Sequence, residues 1–181
     1  MGHILITGRP GVGKTTLIRT IAHQLQDYQP AGFYTEEIRV GGVRKGFRLI
    51  ALNGRQQVLS HVEFQSSDRV SRYGVDVIGF ERLLEQLDLR HVPSPVLVID
   101  EIGKMECCST RFKDAVTALL DSPRIVIATI ALKGDGFIEG IKQRHDCRLV
   151  TVTERNRNQL AGSLAAEVLH RLKEKQRACG S

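Results

Sequence analysis

The chain has 181 residues, 41% hydrophobic and 25% charged, with no tryptophan and a formal net charge of +6. That size and balance predict one globular domain with a sizeable core, and they exclude a disordered, collagen-like or disulfide-stapled small protein. No apolar run approaches the roughly 20 residues of a membrane span, and the short apolar start leads straight into a glycine-rich loop, so no membrane span or signal peptide is expected.

The first predicted element is a buried strand at His3-Ile4-Leu5-Ile6-Thr7. It meets Gly8-Arg9-Pro10-Gly11-Val12-Gly13-Lys14-Thr15, the pattern G-x-x-x-x-G-K-[ST]. A helix follows, with Leu17, Ile18, Ile21, Ala22 and Leu25 on one face. Strand, loop and helix in this order let bare backbone approach a polyphosphate, with loop N–H groups and the helix N-terminus turned towards the anion. Lys14 would reach the β- and γ-phosphates, Thr15 would serve magnesium, and Thr16 continues the phosphate-binding run.

Next come strands at 32–38 and 45–52 around the turn Gly41-Gly42, an antiparallel hairpin, and a short strand at 58–62. Residues 65–78 are polar and read as irregular. Phe80, Leu83, Leu84 and Leu87 mark a helix that ends before Pro93. Val96-Leu97-Val98-Ile99 is wholly apolar, the signature of a central parallel strand. Beyond it the pattern gives a helix at 110–120, a strand at 124–130, a helix at 136–144, a strand at 148–152 and a last helix at 155–175, with 171–181 as helix end and tail. Alternating strands and helices argue for a mostly parallel sheet covered by helices, with the hairpin as an antiparallel extension.

Asp100 closes the apolar run, and ligands of open α/β sheets sit beyond the carboxyl ends of the strands. If its strand neighbours the first one closely, its carboxylate falls beside the phosphate loop and can hold magnesium. Glu101 follows directly. A carboxylate there can aim and polarise a water at the γ-phosphorus, whereas a kinase must exclude water and position an acceptor hydroxyl. The Asp-Glu pair therefore favours hydrolysis, and it resembles the extra catalytic glutamate of RecA- and AAA-like ATPases. Thr129, near the end of the next strand, matches the polar sensor position of that branch. Arg44 and Arg72 are candidates for an arginine that stabilises the transition state in cis.

The positive charge is spread along the chain, and its densest group (Arg171, Lys173, Lys175, Arg177) reads as a solvated helix face. No aromatic and basic platform for single-stranded nucleic acid is visible. The four cysteines, Cys107, Cys108, Cys147 and Cys179, show no C-x-x-C spacing and read as the thiols of a cytoplasmic protein.

Four strings then occur in order: residues 8–15, Gly32-Phe33-Tyr34-Thr35-Glu36-Glu37, Asp100-Glu101-Ile102-Gly103-Lys104-Met105-Glu106 and Thr153-Glu154-Arg155-Asn156-Arg157-Asn158. Together they resemble the small nucleoside-triphosphatase family known from thermophiles and from the cancer-related nucleoside-triphosphatase, over roughly residues 3 to 160. The resemblance implies a single P-loop NTPase domain that hydrolyses ATP, GTP, CTP and UTP to the diphosphate and phosphate. It also implies magnesium dependence and broad base tolerance. Carried over by position, Gly8, Arg9, Pro10, Gly11, Val12, Gly13, Lys14 and Thr15 bind phosphate, Thr15 and Asp100 serve the metal, and Glu101 activates water. Arg155, Asn156 and Arg157 would meet base or ribose, and Glu36 and Glu37 would stand behind the site. Lys104 and Glu106 share the Asp-Glu string without an assigned task. A monomer is expected. The alternatives are a nucleotide or nucleoside kinase on the same fold, and a nucleotide-gated nucleic-acid switch.

Overall fold

A computed structural model describes residues 2–134 and 136–179. In chain order the elements are β1 (His3–Thr7), α1 (Lys14–Gln24), β2 (Ala31–Val40), β3 (Val43–Ala51), β4 (Gln56–His61), β5 (Arg69–Val70), β6 (Tyr73–Val75), α2 (Val77–Leu87), β7 (Val96–Ile102), α3 (Thr110–Leu120), β8 (Ile125–Ile130), α4 (Phe137–Lys142), β9 (Cys147–Thr151) and α5 (Arg157–Cys179). Among the described residues the strands form one nine-stranded sheet in the order β5-β6-β4-β3-β2-β7-β8-β1-β9.

The sheet has two halves that meet at β2. From β2 to β9 the neighbours run parallel, and from β2 outwards to β5 they run antiparallel. The expected hairpin extension is thus the start of a longer antiparallel wing. Residues 65–78 are a correction: they hold β5, β6 and the first residues of α2. Strands of two and three residues carry too little alternation to show a period. The last helix starts two residues later than expected and runs on to Cys179, while Gly180, Ser181 and the Cys179 side chain lie outside the described residues.

Both faces of the parallel half are covered, which is why β1, β7 and β8 read as continuous apolar runs. On one face α1 and α5 pack on Ile4, Ile6, Val96, Val98, Ile125 and Ile127. On the other, α2, α3 and α4 cover Leu5, Phe33, Leu97, Ile99, Val126 and Ala128. Phe33, Phe80 and Phe112 meet there at ring-centroid separations of 5.3 to 6.4 Å. Asp76 caps α2 by accepting from the Gly79 N–H at 2.9 Å, and Ser109 caps α3 by accepting from Phe112 N–H at 3.0 Å.

The register sets up the site. β8 lies between β7 and β1, so Asp100 is one strand removed from the phosphate-loop strand rather than beside it. The same register pairs Ile99 with Ala128 and Leu5 with Ala128. The ends of β1, β8 and β7 therefore come out side by side, bringing Thr7, Thr129 and Asp100 to one edge. No helix among the described residues is long and apolar enough to cross a membrane, and no disulfide joins Cys107, Cys108 and Cys147.

Candidate active site

The loop between β1 and α1 turns on glycine. Gly13 precedes α1 at φ 104°, a left-handed conformation that side chains resist, and no side chain caps the helix. The N–H groups of its first turn stay available to an anion. Val12 N–H closes a turn on the Arg9 carbonyl at 3.2 Å, and Lys14 Nζ donates to the Gly8 carbonyl at 3.3 Å. A Cβ on Gly8 would lie 2.7 Å from the Val152 carbonyl oxygen, so the loop is seated directly on the end of β9. Arg9, Pro10, Gly11 and Thr16 are exposed, and Lys14 and Thr15 are half-buried.

Asp100 is 1% exposed and oriented from two strands. Thr129 Oγ1 donates to its Oδ1 at 2.5 Å, and the Thr35 N–H donates to its Oδ2 at 3.2 Å. The Thr35 hydroxyl also donates to the Asp100 carbonyl. Each carboxylate oxygen keeps a lone pair for a further partner. The Thr129 hydroxyl is therefore committed to Asp100, which differs from a sensor side chain free to meet the γ-phosphate. Thr35 is the residue that inspection of the sequence missed; the Gly-Phe-Tyr-Thr string contained it, and only the β2–β7 pairing brings it to Asp100.

Glu101 is half-buried. Burial raises its pKa above the ordinary value, nearby Lys14 opposes that shift, and Asp100 adds to it. The carboxylate is thus a stronger base than an exposed glutamate, with a cation in range. Lys104 is exposed, and Glu106 is buried.

The remaining candidates separate. Asn156 is spent on the turn before α5: its Oδ1 accepts from Thr153 N–H at 2.8 Å and its Nδ2 donates to the Thr151 carbonyl at 3.0 Å. Arg157 reaches back to the loop, donating to the Val12 carbonyl at 3.4 Å. Arg155 is exposed. Glu37 pairs with Arg39 and Arg44, and Glu36 is exposed opposite Arg48 on β3. Arg44 and Arg72 converge on the Tyr73 hydroxyl, each at 3.1 Å, and tie the hairpin to β6. Both guanidinium groups thus carry a structural load.

Among the described residues no group of three or more His, Cys, Asp or Glu could hold a metal. A magnesium ion that arrives with a nucleotide needs only one or two protein oxygens, the rest coming from phosphates and water. Thr15 and Asp100 are such a pair, so the donor set fits.

Known proteins resemble this chain over most of its length. A family model described as NTPase matches residues 3–165. The nucleoside-triphosphatase THEP1 of Thermotoga sp. (strain RQ2) is 41% identical over 174 residues, covering 96% of this chain and 99% of that protein. The human cancer-related nucleoside-triphosphatase is also 41% identical, over 87% of this chain and 92% of its own length. The crystal structure of THEP1 from Aquifex aeolicus superposes with a TM-score of 0.84 at 34% identity, covering 92% of this chain and 98% of that one.

Proposed function

The chain belongs to the NTPase family of nucleoside-triphosphatases, and from that premise we propose how it works and on what. It is a hydrolase acting on nucleoside triphosphates. In our reading the products are the diphosphate and phosphate, the reaction requires magnesium, and ATP, GTP, CTP and UTP all serve.

The backbone of residues 8–15 cradles the phosphates, and Lys14 neutralises charge between them. Thr15 and Asp100 would hold magnesium, which would supply further charge neutralisation when bound. Thr129 and Thr35 keep the Asp100 carboxylate pointed at that position. Glu101 accepts a hydrogen bond from the attacking water and takes its proton as the water closes on the γ-phosphorus. Base tolerance follows from the turn before α5. Asn156 spends its amide on backbone groups and Arg157 leans on the loop, so few polar side chains remain to read a base edge.

The observation that carries this reading is the pairing of a doubly oriented Asp100 with a half-buried Glu101 under the influence of Lys14. The test is phosphate release from the four nucleoside triphosphates, with and without a chelator, with nucleosides and nucleoside monophosphates added as acceptors. Hydrolysis of several triphosphates, abolished by chelation and unaffected by acceptors, is expected. Glu101→Gln should lower turnover about 100-fold or more while still binding nucleotide, the usual scale for a general base. Lys14→Ala should weaken binding and turnover together. Phosphate appearing on an acceptor, or an active Glu101→Gln protein, would refute the proposal.

A further inference from the structure

A groove of about 920 Å³ runs between α1 and β2, from Thr16 and Tyr34 to Pro30 and Leu52. Thr16 and Tyr34 are the chain neighbours of Thr15 and Thr35, and the Thr35 N–H is the group that donates to Asp100. One end of the groove therefore opens beside the hydrolytic centre. The sheet order fixes the side on which it leaves. α5 lies over β9 through the Arg148–Glu167 ion pair, whereas the groove lies by β2, on the opposite flank of α1.

Arg19 stands in the groove wall, four residues and about 6 Å of helix rise beyond Thr15. A helical side chain leans back over the turn N-terminal to it, which carries the guanidinium towards the phosphate loop. Arg19 is exposed, and its guanidinium carbon rests over the Tyr34 ring, 4.5 Å from the centroid. Among the described residues no carboxylate or carbonyl accepts a hydrogen bond from it, so its N–H donors are open to a ligand. Other arginines are spent on carboxylates: Arg39 and Arg44 on Glu37, Arg148 and Arg171 on Glu167. No Asp or Glu stands among the described lining residues of the groove. An arginine seated on a ring, in a wall without acids, suits an oxyanion that can take two N–H groups at once.

We propose that this groove receives the phosphate made by hydrolysis, with Arg19 as the group that binds it on its way out. The inference rests on the reading that the products are the diphosphate and phosphate. The γ-phosphoryl group departs in line from the diphosphate, so the released anion has to leave on a side that the nucleotide does not fill. The groove begins on that side. A phosphate carried by a second nucleotide has the same chemistry, and the test separates the two sources.

The experiment titrates inorganic phosphate by calorimetry into the intact protein, Arg19→Met and Arg82→Met, each saturated with magnesium and a non-hydrolysable imido analogue of ATP. The analogue fills the loop as far as its γ-phosphate, so phosphate that still binds occupies a second site. Methionine keeps an unbranched stem and removes the guanidinium, while Arg82→Met deletes the same charge on α2, across the sheet. We expect phosphate to bind the intact complex, about tenfold or more weakly in Arg19→Met and within about twofold of the parent in Arg82→Met, the scale of one lost charge-assisted hydrogen bond. Unchanged binding by Arg19→Met, equal loss in both variants, or phosphate binding only in the absence of the analogue would overturn the inference. So would adenosine monophosphate binding the analogue complex through Arg19 where inorganic phosphate does not, which would make the ligand a second nucleotide. If Arg19→Met melts well below the parent, Arg19→Gln takes its place on the same criterion. A parent that releases no phosphate from nucleoside triphosphates would sink the underlying reading and this inference together. Phosphate release by a parent whose analogue complex binds no phosphate would sink this inference alone.

Discussion

Asp100, which we propose as a magnesium ligand, owes its orientation to one backbone N–H and one hydroxyl. Its two oxygens are held by a hydroxyl from β8 and an N–H from β2, partners 29 and 65 residues away in sequence. Replacing Thr129 with valine keeps the shape of the side chain and deletes the hydroxyl. Metal ligands that lose such an outer partner typically lose 10- to 100-fold in affinity, so magnesium titrations of Thr129→Val should show an apparent magnesium constant weaker by roughly that factor. Nucleotide binding without metal should change little. The pieces of this cluster differ in how visible they were beforehand. Lys14, Thr15, Asp100 and Glu101 stand in motifs whose spacing reflects one loop and one strand end, so local sequence suffices. Thr129 was visible as a polar residue in an apolar strand, but its partner was not, because that depends on the β7–β8 register. Thr35 stood inside a motif, but its contact with the Asp100 carboxylate runs through a backbone N–H that every residue except proline has, so nothing in its side chain marked it.

Among elements, β2 is where the sheet changes character, parallel to β7 on one side and antiparallel to β3 on the other. Gly32 makes that junction possible. It has φ 136°, and a Cβ there would stand 1.8 Å from the Val98 carbonyl oxygen, so β2 can approach β7 only with no side chain present. Gly32→Ala should destabilise the fold by about 3 kcal/mol or more, combining backbone strain with a clash that neither strand can relieve. Chemical denaturation of the variant checks it, and wild-type stability would refute the reading of the junction. The parallel strands were easy to locate because burial on both faces makes them apolar throughout, as in Val96-Leu97-Val98-Ile99. The antiparallel wing was only half visible. β2 and β3 turn on each other at Gly41-Gly42, whereas β5 and β6 are short, with β6 paired to β4 and β5 paired only to β6. Strand order leaves no local trace, which is why the interposed β8 could not be anticipated.

At the scale of the whole molecule, the start of β1 is pinned by the segment just before β9. The Gly2 and His3 N–H groups donate to the Asp146 carbonyl at 3.1 and 3.0 Å, while the Asp146 side chain pairs with Arg144. Arg144 also reaches Asp121 beyond the end of α3. Hydrogen bonding to Arg144 holds the Asp146 carboxyl down at about 2, below its ordinary range. A carboxyl depressed in the folded state contributes stability that is complete above the unfolded pKa of about 4 and is lost as the pH falls through about 2. With the side chain partly exposed and solvent screening allowed for, that contribution is about 1 kcal/mol. Asp146→Asn should therefore melt below the parent at pH 7, and the gap should close as the pH falls towards 2. An equal gap at both ends of the range would remove the carboxyl from the account. β1 stands far along the chain from the strands it pairs with. Its two sheet partners are β8 and β9, residues 125–130 and 147–151. The antiparallel wing, by contrast, can zip up from neighbours a few residues apart. During synthesis the wing is ready to form while the strand leading into the phosphate loop still waits for residues 125–151 to leave the ribosome. Nucleotide then acts as a late ligand, rewarding chains that already carry β8 and β9 and offering nothing to shorter ones.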